Sequence, residues 1–472
     1  MSVSRTPSSA ASRGTLVYGP DDPIPPIPAF VVAGQQVAAM LVGVVTPVLL
    51  IAGSLRLEPL DTSYLVSMAL LAAALGTFLQ SLRLGLVGSG LLSVTGTSAT
   101  FIGPLVHAGR SGGLALMLGM SLAGAAVPLL LAFCVPTLRR YFPPLVSGIV
   151  VLLIGLSLLP NAMGGIAAAA VPGAPVWSGG AIALLVIAVV LGAQAFGRRW
   201  SRLGGILAAV AAGYAACAAC GWLRSPPPSR GWFAAPHLLR YGLAFQWEYL
   251  VPFAFLYLFT MLEAVGVMTA TARLSGLDTD GTAHNERLRG GLITDGLTSC
   301  VGAIIGSFPN ITYAQNNGVI QITGVASRRV GKGMAGILLL MGLFPPVSRW
   351  LTAMPPPVLG GMAILLFGLV AVSGLRLMMG GGIGQREALI IAVSLGVGLA
   401  LPTQPQWIAA LPSVPRALFS SGICGGGLSA LVLNVMLPRL SSAVGLRKIP
   451  GIALAQDVPA AGTGEAGAAD PV

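Results

Sequence analysis

The chain has 472 residues, of which 55% are hydrophobic and only 8% are charged, and its formal net charge is +12. A soluble domain has about 25% charged residues, so this composition excludes a soluble enzyme, a nucleic-acid-binding protein and a disordered chain. Glycine contributes 64 residues, and membrane helices use small residues to pack closely. The composition therefore predicts an all-α polytopic membrane protein that resides in a lipid bilayer.

Apolar runs long enough to cross a bilayer, about 20 residues each, are predicted at fourteen places along the chain. They are residues 31–52, 62–80, 85–104, 112–134, 143–164, 178–196, 203–222, 249–272, 289–307, 312–327, 333–352, 357–375, 386–402 and 416–437. The third and tenth are poor helices because Gly, Ser, Thr or amide residues interrupt them. Irregular backbone at membrane depth survives only where protein or a cavity surrounds it, so these two segments predict a binding site.

The basic residues predict the orientation. With both termini in the cytoplasm, most of the 26 Lys and Arg residues fall in cytoplasmic loops and tails, as the positive-inside rule requires. This bias explains the net charge without a nucleic-acid partner. We expect a bacterial inner-membrane protein with cytoplasmic tails at residues 1–28 and 438–472.

Two internal segments, Pro143–Leu156 and Pro356–Leu369, resemble each other and align Gly155 with Gly368. They are the fifth and twelfth predicted spans, so the chain divides into seven plus seven. Because seven is odd, the second half enters from the opposite side, which predicts an inverted repeat. The repeats would be residues 29–222 and 249–437, joined by an extracellular loop at 223–248. A chance match of two Pro-Pro helix starts is the alternative.

Two carboxylates, Glu263 and Asp295, fall well inside apolar runs. An ionised carboxylate there is costly, so it usually faces a cavity, a partner or a proton route. Both are candidate proton-coupling groups. The alternative is a structural carboxylate bonded to backbone or hydroxyl groups, and for Asp295, expected near the cytoplasmic end of its span, the two interpretations carry similar weight.

Three consecutive amides, Gln315, Asn316 and Asn317, precede Gly318 in the tenth predicted span. Unpaired amides in hydrocarbon are costly, and each is both a donor and an acceptor. The run predicts an interrupted helix whose amides face a planar, hydrogen-bonding solute. Asn317 is expected to connect the broken helix to its neighbours. Weaker candidates of the same kind are Gln35 and Gln36 in the first span and Thr97 and Ser98 in the third.

The run Gln315–Gly324, QNNGVIQITG, resembles the motif [Q/E/P]-N-x-G-x-x-x-x-T-[R/K/G] of the nucleobase–ascorbate transporter family. The surrounding stretch is similar to bacterial xanthine and uric acid permeases, whereas uracil permeases carry Glu at the first motif position. Glu263–Gly266 resembles the family's eighth-span motif, Asp295 its ninth-span Asp, and Gly96–Ile102 its third-span strand. The resemblance covers about residues 25–440.

This resemblance implies fourteen spans in two inverted seven-span repeats, with short strands in spans 3 and 10. Spans 1–4 and 8–11 would form a core domain, and spans 5–7 and 12–14 a gate domain that forms a homodimer. The implied function is proton-coupled uptake of a purine nucleobase, xanthine or uric acid, by an elevator-type mechanism, with the proton as coupling ion and no cofactor or metal. The implied substrate-binding residues are Glu263, Gln315, Asn316, Gln36, Ser98 and backbone groups near Ala99 and Ala314, and the implied structural residues of the site are Asn317, Gly318 and Thr323.

Two departures from the family pattern remove titratable groups. Val267 replaces the Asp or His that usually follows the eighth-span Glu, and Gln36 replaces the usual first-span His. Glu263 and Asp295 are then the candidate proton carriers. An uncoupled facilitator is therefore an alternative.

Other functions remain open at this point. A uracil or other nucleobase permease of the same family is one, and an anion transporter of the same seven-plus-seven design, for sulfate or bicarbonate, is another. Glu263 argues against the anion because it would repel it. An enzyme or channel is disfavoured because His107, His237 and His284 all lie in predicted loops, which leaves no intramembrane catalytic set.

Overall fold

The computed structural model describes residues 16–134, 144–167, 175–196, 199–223, 231, 233, 235–279, 281–379, 383–419 and 421–437. Most of these residues are helical. The predicted C-terminal tail, residues 438–472, and most of the predicted N-terminal tail lie outside this part of the chain.

The first half of the chain contains seven helices and one short strand within the described residues. They are α1 (Pro26–Leu55), α2 (Pro59–Gln80), β1 (Thr95–Thr97), α3 (Ile102–Gly124), α4 (Ala126–Leu131), α5 (Pro144–Ala167), α6 (Val176–Phe196) and α7 (Arg199–Ala219). Proline occupies the first turn of α1 and of α2, where its missing N–H would have no helical partner. A 3₁₀ turn, Ala99–Phe101, connects β1 to α3.

The second half contains ten helices and one strand within the described residues. They are α8 (Trp247–Leu274), α9 (Thr282–Ile305), β2 (Asn310–Thr312), α10 (Gln315–Thr323), α11 (Arg328–Leu343), α12 (Pro345–Thr352), α13 (Pro356–Met379), α14 (Gln385–Ala400), α15 (Pro405–Ala409), α16 (Ser413–Phe419) and α17 (Gly422–Met436).

Nine helices of the described residues are long and apolar enough to cross a membrane, or ten if α11 and α12, which meet at 80°, form one span. The fourteen crossings therefore stay a prediction. Predicted span 10 begins at Thr312, the last residue of β2, and contains the nine-residue α10. Predicted span 3 contains β1 and a 3₁₀ turn that leads into α3, which is kinked at Gly112 and Gly113. The irregular backbone expected at these two places is present.

Helices α5 and α13 pack closely and run antiparallel. A Cβ atom added to Gly155 would lie 2.5 Å from the Ala371 nitrogen, and one added to Gly360 would lie 2.6 Å from Ile166. Small residues let the two backbones approach. These are the helices that contain the two similar Pro-Pro segments of the sequence.

The N-terminal segment and the α10–α11 connection lie on one face of the molecule. The Tyr18 N–H donates to the Gly324 carbonyl (3.1 Å), and the Tyr18 carbonyl accepts from the Ala326 N–H (2.9 Å). Asp21 forms an ion pair with Arg328. The predicted orientation requires these two segments to share a side.

The segment before α8 packs on the start of α2. Arg240 forms an ion pair with Asp61 at 3.1 Å and lies over the Tyr64 ring at 4.4 Å. The Tyr241 hydroxyl also donates to Asp61 at 2.8 Å. Burial, followed by this hydrogen bond, raises the pKa of the Tyr241 hydroxyl, which therefore keeps the proton that it donates.

One local prediction from the sequence is wrong, because His107 and His284 lie in helices α3 and α9 rather than in loops. Asp295 lies near the middle of α9, and its position near the cytoplasmic end of the membrane span stays a prediction. The helices are longer than the predicted spans for one reason. A helix continues through polar residues beyond its apolar run because its backbone hydrogen bonds continue, and α9 begins at Thr282, before the predicted span.

Candidate solute-binding site

Strands β1 and β2 pair inside the helical bundle and position the start of two helices. We call the place where the two strands meet the strand crossing. The pair is antiparallel, with Thr97 opposite Asn310 and Thr95 opposite Thr312. The Ser98 N–H donates to the Pro309 carbonyl at 2.8 Å. The 3₁₀ turn leading into α3 follows β1, and α10 follows β2, so both helical segments begin beside the crossing. The first N–H groups of a helix have no intrahelical partner, and they carry partial positive charge.

Two polar side chains at this crossing are available to a solute. Glu263, in the middle of α8, and Gln315, the first residue of α10, are both half-buried. Among the described residues neither has a hydrogen-bond partner. Glu263 is close enough to Tyr313 for an electrostatic interaction. The carboxyl and the amide are therefore free to form hydrogen bonds with a ligand.

Asn316 and Gln36 form a buried pair between α10 and α1. The Asn316 amide nitrogen donates to the Gln36 side-chain oxygen and, at 3.4 Å, to the Gln36 carbonyl. Within the described structure, Oδ1 of Asn316 and Nε2 of Gln36 have no partner. The pair thus joins two residues that the sequence predicted separately, and it retains one acceptor and one donor.

The other motif residues of α10 bond within the protein. Asn317 accepts from the Thr271 hydroxyl at 2.7 Å and donates to the Val267 carbonyl at 3.4 Å, which ties α10 to α8. Thr323 donates to the Val319 carbonyl at 2.8 Å at the end of α10. Gly318 is exposed, and a Cβ atom there would have no atom within 4 Å.

The backbone positions predicted to contact the solute lie at the starts of the two helical segments. Ala99 and Ala314 are both half-buried, and each adjoins the first turn of its helical segment. Ser98 is only 1% exposed, and its hydroxyl has no partner in the part of the chain that the structure describes. The structure therefore brings Ser98 and Ala99 to one side of the crossing and Ala314 and Gln315 to the other.

Asp295 is held by three groups on two neighbouring elements. Its carboxylate accepts from the Gln80 amide (3.0 Å), the Thr312 hydroxyl (2.9 Å) and the Thr312 N–H (3.2 Å). Gln80 ends α2, and Thr312 ends β2. The carboxylate therefore fixes β2, and through it the start of α10, against α9.

Ser299, one turn after Asp295 on α9, extends this attachment. Its hydroxyl accepts from the Asn310 N–H at 3.0 Å and lies 3.3 Å from the Asn310 carbonyl. Side chains of α9 thus bond the backbone N–H groups of β2 that a second neighbouring strand would otherwise bond. Sequence reasoning did not identify Gln80, Thr312 or Ser299. The available signal was Gln80, a polar residue at the end of an apolar run, but this position does not reveal which residue its side chain bonds.

Comparison with known proteins identifies the family. The family model described as Permease family, Xan_ur_permease, matches residues 28–407. The chain belongs to this permease family, the nucleobase–ascorbate transporter family.

Curated relatives of this permease cover nearly all of its length. It is 38% identical to the xanthine permease XanQ of Escherichia coli K12, over 94% of this chain and 98% of that protein. It is 38% identical to the xanthine permease XanP of the same strain, over 92% and 96%. It is 33% identical to the nucleobase transporter PlUacP of Paenibacillus larvae, over 85% and 93%. These relatives are named as transporters rather than as enzymes.

Solved structures of other transporters share the fold. The transmembrane domain of the cyanobacterial bicarbonate transporter BicA matches with a TM-score of 0.55 at 14% identity, over 88% of this chain and 99% of that one. The murine anion transporter Slc26a9 in an inward-facing state matches with a TM-score of 0.57 at 13% identity, over 92% and 73%. At this identity the likeness shows the fold alone.

Proposed function

We propose that this permease takes up a purine nucleobase, xanthine or uric acid, together with protons. The observation that carries the proposal is the strand crossing, which brings two helix starts together with a carboxyl, Glu263, and an amide, Gln315, that have no hydrogen-bond partner among the described residues. A purine presents donors and acceptors along its planar edges, and these groups offer complementary partners. The names of the relatives with 38% identity support a nucleobase and favour xanthine.

The proposed transport cycle is of the elevator type. The crossing strands, α8 and α9 would move as one core domain against a gate domain that contains α5 and α13. The antiparallel packing of α5 on α13, the two helices with similar sequences, supports an inverted repeat. We also propose that the gate domains of two copies form a homodimer.

The competing functions make different demands on the site. An anion transporter shares this fold, as the likeness to BicA and Slc26a9 shows. An ionised Glu263 at the crossing would repel any anion, so an anion, urate included, would bind only with Glu263 protonated, and an inorganic anion offers no purine edge for Gln315 to bond. A uracil permease would suit Glu better than Gln at position 315. An uncoupled facilitator would use the same binding groups without a proton.

Uptake of radiolabelled xanthine into cells that express the permease tests the proposal. We expect saturable uptake that unlabelled xanthine or urate abolishes and that sulfate and bicarbonate leave unchanged. Guanine, hypoxanthine and uracil as competitors then define the specificity. Uptake that an uncoupler does not reduce would support the facilitator, and absence of nucleobase uptake would refute the proposed function.

The Gln315→Glu substitution tests the contact with the purine edge. A carboxylate accepts hydrogen bonds but cannot donate them as an amide does. We expect purine uptake to fall by about 10-fold or more, the size of one strong hydrogen bond, with a competition profile shifted toward uracil. The measurement is the uptake rate with each competitor. Wild-type uptake with an unchanged profile would contradict a direct contact.

The orientation can be tested at Arg329, which is exposed at the start of α11. In a variant with the native Cys residues replaced by Ser, an Arg329→Cys substitution should be inaccessible to an impermeant thiol reagent in intact cells and reactive in inverted vesicles. The positive-inside rule predicts this result because Arg328, Arg329 and Lys332 cluster there. Labelling from outside intact cells would reverse the predicted topology.

A further inference from the structure

Tyr313 connects the two halves of the strand crossing through its side chain. It follows β2 directly and precedes Ala314 and Gln315 at the start of α10. Its hydroxyl donates to the Thr97 carbonyl, the last residue of β1, at 2.7 Å. One side chain therefore bridges Thr97 and Tyr313, each of which lies two residues before the start of a helical segment of the site.

Two glycines form the slot for the Tyr313 ring, which is only 8% exposed. A Cβ atom on Gly96 of β1 would lie 2.7 Å from ring atom Cζ, and one on Gly43 of α1 would lie 3.1 Å from Cε2. The first distance is too short for a real contact, so Gly96 is required for the ring to lie where it does. The hydroxyl bond and the slot together fix the ring on both sides.

We infer that Tyr313 is a positioning residue that sets the separation of the two helix starts. The inference rests on the proposed function and deepens it, because both helix starts contribute groups to the nucleobase. The Tyr313 hydroxyl has one hydrogen, which it donates to the Thr97 carbonyl, so it cannot also donate that hydrogen to the ligand. We assign its effect on the ligand to the placement of Ala99 on one side and Gln315 on the other.

The test compares Tyr313→Phe with a matched control, Tyr64→Phe. Tyr64 is also 8% exposed, and its hydroxyl also donates to a backbone carbonyl, that of Ile305 at the end of α9, at 3.0 Å. Both substitutions remove a buried hydroxyl that donates to a backbone carbonyl, but only Tyr313 bonds to a strand of the crossing. We expect Tyr313→Phe to raise the KM for uptake about 3- to 10-fold with kcat nearly unchanged, as loss of one neutral hydrogen bond would. Tyr64→Phe should leave the KM unchanged.

The probes are xanthine, urate, guanine and uracil, and the KM is measured for each one that the wild type transports. A positioning role predicts a similar rise for every ligand. A rise confined to one ligand would place the hydroxyl on that ligand and overturn the inference, as would an unchanged KM for all of them. Failure of the wild type to transport any of the four would instead overturn the proposed function.

A second pair of variants covers the case in which Tyr313→Phe does not accumulate in the membrane. Gly43→Ala displaces the same ring without removing its hydroxyl and should raise the KM. Gly53→Ala, on the same helix, is the control, because a Cβ atom there has no atom within 4 Å. Equal KM values for the two alanine variants would also overturn the inference.

Discussion

Replacing Glu263 with Gln should abolish uphill accumulation of xanthine driven by a pH gradient. Gln keeps the size and hydrogen-bonding capacity of the side chain but does not titrate. A protonated Glu263 can donate to a base acceptor, while an ionised one can accept from a purine N–H, so this group can link the proton to the solute. Because Val267 and Gln36 do not titrate, the candidate groups that can link proton and solute are Glu263 and Asp295.

Binding should be affected less than accumulation. Loss of one good charged hydrogen bond is worth about 1.5–3 kcal/mol, or roughly a 10- to 150-fold loss of affinity. The measurements are the steady-state accumulation ratio in vesicles with an imposed pH gradient and the affinity for xanthine of the purified protein. Exchange of labelled for unlabelled xanthine should persist in the variant at saturating substrate.

Glu248 offers the control for this variant. It is an exposed carboxylate in the first turn of the same helix, α8, and Glu248→Gln removes the same charge. This variant should accumulate xanthine as the wild type does. Full pH-driven accumulation by Glu263→Gln would move the coupling proton to Asp295 or show that the permease is an uncoupled facilitator.

The sequence predicted the membrane class, the broken segments and the motif residues because each depends only on composition or on the order of neighbouring residues. Polar residues interrupt two apolar runs, and the structure has β1 and β2 there. The irregular segments could be recognised because Gly, Ser, Thr or amide residues interrupt their apolar runs, whereas a membrane-spanning helix needs a long unbroken one. Their pairing register could not, because it depends on residues more than two hundred positions apart.

The partners of the site residues were also beyond the sequence. That Asn316 bonds Gln36, or that Gln80 bonds Asp295, is a consequence of how α1, α2, α9 and α10 pack together. The helix ends were misplaced for a related reason. Hydropathy marks where a helix is buried in lipid, whereas backbone hydrogen bonds extend α9 back to Thr282 and thereby place Asp295 mid-helix.

Asp295 should prove to be an anchor for β2. Its carboxylate accepts from Gln80 and from both polar groups of Thr312. The Asp295→Leu substitution would remove the acceptor of the Thr312 N–H and of the Thr312 hydroxyl, whereas the Gln80 amide would keep the Gly291 carbonyl as a partner. An unsatisfied buried group costs about 1–3 kcal/mol, so two of them cost about 2–6 kcal/mol, a large share of the total stability of a typical domain, about 5–15 kcal/mol. We expect Asp295→Leu to leave little folded protein in the membrane, measured by size-exclusion chromatography in mild detergent.

The milder substitution Asp295→Asn separates anchoring from proton transfer. Asn retains one acceptor oxygen but points an N–H₂ group at a donor, so β2 is loosened rather than released. We expect a lower unfolding temperature and weaker xanthine binding, while the uptake that remains is still driven by the pH gradient. Ser299→Ala is the matched comparison, since it releases Asn310 of the same strand and removes no titrating group. If Asp295→Asn instead binds xanthine normally and loses only pH-driven accumulation, Asp295 carries the proton, and the attachment of β2 to α9 is incidental to its function.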